Sequence, residues 1–435
     1  MKAVQEFDAV VGNPPYIRYQ TFAGDARAAA NTAAADAGVN LSHQASSWAA
    51  FTVHSARFLA PGARLALVVP AELLSVGYAA PVRRFLLDSF SSVTIVTFDE
   101  QVFDGVDVDA VVVLADGYTL GPADHLSVRH ARNAAALSDA DAGQRWTPAT
   151  SSDRWTPALL PSDALAVYAA ATAAEDFTVL GSWGDTKLGM VTGNNGFFAI
   201  SSVRAGELGL SREEFLPVSP PKSAHLRGLE LSTDGFDHLA ETGKAVWLFR
   251  PPADPSPAAV AYIAEAEAGG ANQGYKCRTR TPWWQVPTVA PADLFRTYMN
   301  ADTPRITTNS ARVLHLNSVH GIYLRNDLRS LGTRLLPIAS LNSVTLLGAE
   351  IVGRAYGGGM LKIEPGEAAA LPMPSPMLIA RVAGGLGAAR AEVLGHLTAG
   401  RLLDAVTIVD RILFPDEVTD VATLRNARTL LAGRR

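Results

Sequence analysis

Residues 7–20, FDAVVGNPPYIRYQ, constrain the fold more tightly than any other stretch. FDAVVG is short and apolar and reads as a buried strand of the parallel kind, stopped by Gly-Asn-Pro-Pro because prolines cannot donate to a sheet ladder. A loop placed there lies at the carboxyl end of a strand, where open α/β sheets hold their ligands. The two prolines also fix the backbone and remove its N–H groups, which leaves the carbonyls of Asn13 and Pro14 as outward acceptors. The Asn13 side-chain carbonyl adds a third acceptor, and Tyr16 supplies a flat aromatic face. Such a pocket suits a planar group bearing an NH2. Asn-Pro-Pro is also ordinary turn chemistry; the strand before it and the aromatic after it weigh toward a site.

An exocyclic amine conjugated into a ring is a poor nucleophile. Acceptors aimed at its hydrogens draw the nitrogen toward tetrahedral geometry and stabilise the positive charge that builds as it attacks, so no strong base is required. The aromatic face fits a base flipped out of its stack.

Along the rest of the chain the pattern is α/β. Residues 46–60 carry Trp48, Phe51, Ala56 and Leu59 at helical spacing, with Pro61-Gly62 as the stop, and residues 21–44 read as a loop. A strand is expected at 64–69, a helix at 78–90 with Pro81 in its first turn, and strands at 93–98 and 109–115. Strands joined by helical crossovers predict a largely parallel sheet, with the last pair open to an antiparallel edge. Residues 133–163, with the near-repeat RWTPATSSDRWTP, read as a linker. From 164 to 374 short apolar runs between Gly, Pro and Asn turns predict a mixed α+β domain, and 375–435 a helical segment broken near Gly400 and Pro415.

No apolar run reaches the roughly 18 to 20 residues of a membrane span, and the N-terminus lacks the basic start of a signal peptide; a soluble, cytoplasmic protein with no membrane partner is expected. The single cysteine, Cys277, excludes an internal disulfide and builds no zinc site by itself; no metal is expected. Net charge is −5, but its distribution is uneven: residues 1–120 hold 7 Lys+Arg against 12 Asp+Glu, and residues 181–435 hold 26 against 23. A polyanion is therefore expected to be gripped locally, in the C-terminal part.

VVGNPPYIRY resembles motif IV of the amino methyltransferases, specifically the gamma-class adenine-N6 DNA methyltransferases of the TaqI and Eco57I type. The following stretch, SSWAAFTVHSARFLAPGARLALVVPAELL and onward to QVFDGVDVDAVVVLADG, resembles in order the family's later catalytic motifs. The resemblance implies the C-terminal half of a Rossmann-like sheet over 1–132, then a target-recognition domain. It assigns Asn13, Pro14, Pro15 and Tyr16 to catalysis, Tyr16 and Phe103 to stacking on the flipped adenine, S-adenosyl-L-methionine as cofactor and double-stranded DNA as partner.

LGMVTGNNGFFAI, HLRGLEL, YKCRTRTPWWQVP and EIVGRAYGGGMLKIEPGEAAALPMP resemble recurring segments of the same family's recognition region. From the residues themselves, Lys276, Arg278 and Arg280 alternate along an expected strand, with Trp283 and Trp284 just beyond. That pattern fits phosphates or guanine edges, and equally a charge-protected edge strand. Gly357 to Gly359 with Lys362 either allow close approach to a phosphate or form a turn.

The family's cofactor-binding motifs precede motif IV, whereas six residues precede Phe7 here. The resemblance thus implies a separate N-terminal cofactor-binding polypeptide, a truncated gene, or a chain that only binds DNA. The leading expectation is the modification part of a restriction or phage-defence system, with the restriction endonuclease a separate protein. The alternatives are a non-catalytic recognition module and a methyltransferase for a protein glutamine or an RNA base; cytosine-N4 stays open beside adenine-N6.

Overall fold

The structure, a computed structural model of the 435-residue chain, describes residues 6–100, 109–139, 143–356, 359–416 and 419–434. The chain divides into two units, the first Met1–Ala166 with Arg354–Gly359 and Asn426–Arg435, the second Val167–Gly353 with Met360–Arg425.

A six-stranded sheet in the order β1-β2-β4-β3-β5-β6 organises the first unit. Its strands are β1 Phe7–Gly12, β2 Leu59–Pro70, β3 Phe90–Phe98, β4 Ala110–Tyr118, β5 Leu126–Ala131 and β6 Gln144–Trp146. β1 runs parallel to β2 and β3 parallel to β5, while β4 lies antiparallel between β2 and β3 and β6 is antiparallel to β5. The last pair, β3 and β4, is antiparallel, as the sequence left open, but β4 lies inside the sheet rather than at its edge, so the largely parallel sheet becomes a mixed one. The reason is chain length: Phe98 and Ala110 are too close in sequence for a helical crossover, so the chain returns antiparallel.

Three helices matter to the site: α1 Gly24–Ala35, α2 Ser47–Ala56 and, after the single turn α3 Glu72–Ser75, α4 Ala80–Ser89. α1 replaces an expected loop, its alanines winning as helix formers. Pro61 and Gly62 lie within β2 rather than capping a helix, and α2 stops at Ala56. Trp48 and Val53 of α2, Val82 and Leu86 of α4, and Leu65, Leu67, Val93, Ile95 and Val113 of the sheet bury one another in one core. The alternation of burial along β2, buried at Leu65, Leu67 and Val69 but only partly at Ala66 and Val68, is the two-residue period of a sheet with one deeply packed face.

The stretch 143–160 is packed into this unit. Trp155 is fully buried and its backbone N–H bonds the Leu74 carbonyl at 2.8 Å. Arg83, buried in α4, donates to the carbonyls of Leu73 at 2.8 Å, Val76 at 3.0 Å, Ser152 at 3.1 Å and Asp153 at 2.6 Å. Burial, with the nearby Arg154 charge, pulls its guanidinium down to about 10. β1 lies at the sheet edge with Phe7 44% and Val11 79% exposed.

The second unit holds a five-stranded sheet, in the order Glu230–Leu231, Ile306–Asn309, Leu294–Thr297, Val319–Leu324, Gly184–Leu188. A three-stranded antiparallel sheet of Phe215–Pro217, Trp247–Phe249 and Ala199–Ile200 joins a core of Phe197, Phe198, Phe249 and Tyr262. Helices Pro376–Arg381, Ala383–Thr398 and Leu402–Leu413 follow, interrupted at Gly400. Among the described residues no single helix is long and apolar enough to cross a membrane; the pair Arg329–Ala339 and Ser343–Val352, bent by 88°, passes on composition, and Ser343–Val352 is buried throughout.

Candidate active site and nucleic-acid interface

β1 and β2 are parallel and in register from Ala9 against Arg64 to Gly12 against Leu67, so their carboxyl ends share one edge of the sheet. Asn13 to Tyr16 leave that edge as a loop. Pro14 is buried, Asn13 and Pro15 are exposed and Tyr16 is half-buried. Among the described residues the Asn13 side chain makes no hydrogen bond, so its carbonyl is open to an external donor. Tyr16 is fixed by its hydroxyl, which donates to the Val68 carbonyl of β2 at 3.1 Å. Burial pushes its phenol up to about 12, so it stays neutral and offers a ring rather than a charge.

The loop is held from the other side by Ser47, at the start of α2 and fully buried. Its hydroxyl donates to the Pro15 carbonyl and accepts the Ile17 N–H at 2.9 Å, and its backbone N–H donates to the Ile17 carbonyl at 3.0 Å. Beside it the Tyr78 hydroxyl donates to the Glu72 carboxylate, accepts the Trp48 indole N–H at 3.2 Å and reaches Ser46 Oγ at 3.3 Å. Burial and the Glu72 carboxylate raise the Tyr78 phenol. Neither Ser47 nor Tyr78 stands out in the sequence; the only signal is the Ser46-Ser47 pair opening a helix, the usual residue type at an N-terminus. Phe103 lies outside the described residues.

In the second unit Lys276 and Arg278 sit on a short helix, Tyr275–Arg278, not on the expected strand. Gly274 directs the chain into that turn, accepting backbone N–H groups from Cys277 at 2.9 Å and Arg278 at 3.0 Å. Lys276 and Arg278 are exposed, and so is Tyr275, 69% accessible, a residue the sequence reading passed over. Arg280 differs: its guanidinium donates to the carbonyls of Val191 and Thr192, the latter at 2.8 Å, and Cys277 Sγ also meets Thr192 O at 3.6 Å. Arg280 thus stitches the turn at 191–195 to the helix.

Gly193, at φ +90, lies 3.0 Å from Cys277 Sγ by the position a Cβ would take, which is why that turn needs glycine. Trp283 packs at 5.0 Å on Phe197 in the aromatic core and donates to Glu267 at 2.7 Å, so it is bound up within the protein. Lys362 is partly buried, 3.0 Å from Glu364 and 5.3 Å from the Tyr298 ring; Gly357 and Gly358 beside it lie outside the described residues. The arrangement brings the segments around Gly193 and Cys277 together and leaves Tyr275, Lys276 and Arg278 facing out.

Among the described residues the cofactor expected from the sequence resemblance meets no glycine-rich turn after β1 or β2. β1 passes into Asn13-Pro14-Pro15 and β2 through Pro70-Ala71 into α3.

The family profile described as "Type II methyltransferase M.Eco57I, C-terminal domain" matches residues 152–414, and that described as "Eco57I restriction-modification methylase" matches residues 1–103. The chain is 28% identical over 393 residues to type II methyltransferase M.XamI of Xanthomonas campestris pv. amaranthicola, across 84% of this chain and 67% of that protein. It is 23% identical over 372 residues to type II methyltransferase M.AccI of Acinetobacter calcoaceticus, across 83% and 68%. Among solved structures, the type IIL restriction-modification enzyme MmeI in complex with DNA superposes with a TM-score of 0.59 at 12% identity, which shows a shared fold. That match covers 97% of this chain and 57% of the MmeI chain, so this chain spans little more than half of it.

Proposed function

Since the chain belongs to the family of Eco57I-type restriction-modification methylases, we propose that it is the catalytic-loop and target-recognition portion of a site-specific DNA methyltransferase acting on the N6 amine of adenine. The observation that carries this reading is the state of the loop: Asn13 presents an unbonded side chain at the carboxyl edge of two parallel strands, while Tyr16 is pinned beside it. Asn13 Oδ1 and the Pro14 carbonyl accept the two amine hydrogens of an adenine turned out of the duplex. Electron density then returns from the ring to the nitrogen, and the charge that develops on it is met by fixed dipoles. Tyr16, neutral and half-buried, stacks on the base. S-adenosylmethionine supplies the methyl group, and the residues that cradle it come from polypeptide other than the described residues. The first unit is the partial catalytic domain of a Rossmann-like sheet, which continues beyond the exposed edge of β1. The second reads DNA sequence in the cytoplasm, as part of a restriction-modification or phage-defence system with a separate endonuclease.

A recognition module without catalysis is the second reading, favoured by the lack of a glycine-rich turn after β1 and β2 among the described residues. Methyl transfer from labelled S-adenosylmethionine to unmethylated genomic DNA separates the two, using the chain alone and together with the product of the adjoining upstream reading frame. Transfer only in the presence of that product is expected. DNA binding with no transfer in either preparation would leave the recognition module.

A further inference from the structure

Resting on the methyltransferase reading above, we propose that Ser47 is a positioning residue for methyl transfer: it locks the backbone on both sides of Tyr16 so that the Asn13 and Pro14 acceptors keep a single geometry. The Ser47 hydroxyl both donates to the Pro15 carbonyl and accepts the Ile17 N–H at 2.9 Å, and the Ser47 N–H takes the Ile17 carbonyl at 3.0 Å. These bonds bracket Tyr16, whose own hydroxyl is tied to Val68 in the neighbouring strand. A loop whose prolines donate no backbone hydrogen bond depends on such an external anchor more than an ordinary turn does.

The latch has a second consequence for acceptor chemistry. By occupying the Pro15 carbonyl it leaves the exposed Asn13 side chain as the acceptor open to a ligand. Ser47 is itself held in place. Trp48, next in α2, is fully buried and donates to the Tyr78 hydroxyl, which also reaches Ser46 and is anchored on Glu72 at the start of α3. The chain of contacts therefore runs from Glu72 through Tyr78 to the start of α2, and from Ser47 to the loop. Misplacing reacting groups by about 1 Å costs on the order of a hundredfold in rate, so slack in this chain falls on the transfer step, not on DNA affinity.

The test uses the methylation-competent preparation identified by the labelled-methyl assay, with hydrogen exchange at the Ile17 amide as a readout independent of turnover. Ser47→Ala is expected to lower kcat about a hundredfold and to speed exchange at Ile17, with KM for DNA within about twofold of the parent. Ser47→Thr, which keeps the hydroxyl, restores most of the rate and the protection. Tyr78→Phe lowers kcat less than Ser47→Ala. If Ser47→Ala does not fold, Ser47→Cys takes its place, keeping the volume while weakening both bonds, and an intermediate loss of kcat is expected.

A kcat within about twofold of the parent for a folded Ser47→Ala or Ser47→Cys protein would overturn the proposal, as would a loss that Ser47→Thr does not reverse. A parent protein that transfers no methyl group in any preparation would sink the methyltransferase reading itself; faster exchange at Ile17 in Ser47→Ala would then mark the latch as architecture alone and overturn its positioning role.

Discussion

The two units bury polarity in different ways. The first is an apolar sheet-and-helix core whose buried polar side chains are Arg83 and small hydroxyls, Ser46 and Ser47 beside the acceptor loop among them. In the second, polar side chains run through the interior: Arg296, Asn300, Asn309, His315 and His320 are all at most 2% exposed. Arg296 donates to His320 Nδ1 and to the Ile363 carbonyl at 2.8 Å, while the Asn309 amide donates to Ala292 and Val313 carbonyls at 2.9 Å. A sheet unit held by apolar surface tolerates local change and leaves its open acceptor, Asn13, on a loop. A unit that buries ionisable side chains depends on keeping His315 and His320 neutral beside the Arg296 charge.

The largest effect that would test this contrast is acid unfolding of the second unit. Burial holds His225 and His315 down to about 4, and burial with the nearby Arg296 charge holds His320 down to about 3. In the unfolded chain they titrate near 6.5. As pH falls below that value the unfolded state binds protons that the folded state refuses, so stability present above about pH 6.5 is lost toward pH 4. The loss is on the order of 5 kcal/mol by about pH 4.5, and amide exchange followed against pH should show the second unit opening there. A flat stability profile from pH 7 to 4 would break the contrast.

Next comes Asn13→Ala, expected to reduce methyl transfer by about 100- to 1,000-fold with DNA affinity unchanged, as measured by labelled-methyl kinetics beside a binding titration. A smaller stability effect is expected at Arg83→Met, which strands carbonyls of residues 73, 76, 152 and 153 and costs the first unit about 3 kcal/mol; urea unfolding checks it. Smallest are Lys276→Ala and Arg278→Ala. Each should lower the salt slope of DNA binding by about 1 and leave thermal stability unchanged, whereas Arg280→Ala should lower stability because its guanidinium clamps the 191–192 carbonyls.

The first unit was the more legible in sequence. Its strand at residue 7, its helix opening at Ser47 and the Pro81 turn follow from apolar period and local punctuation, and the loop between β1 and α1 follows from two prolines. What the sequence misled on was pairing. The position of β4 between β2 and β3 is a non-local choice, and the helix at 24–35 lacks the apolar stripe that a period search recognises. In the second unit the basic stretch at 276–280 alternates like a strand, yet Gly274 and the Thr192 carbonyl draw it into a helical turn.

What the sequence determined by itself is local: a strand stopped by Asn13-Pro14-Pro15, an aromatic at Tyr16, helix starts and stops, and a net positive C-terminal part, because each depends on backbone limits and residue type within a few positions. Tertiary structure alone decided which of those groups are available. Asn13 remains open while Ser47 takes the carbonyl of Pro15, and Lys276 and Arg278 face out while Arg280 is spent inside. Those outcomes depend on partners 30 to 89 residues away in the chain, and only the closed fold brings their donors and acceptors within bonding distance.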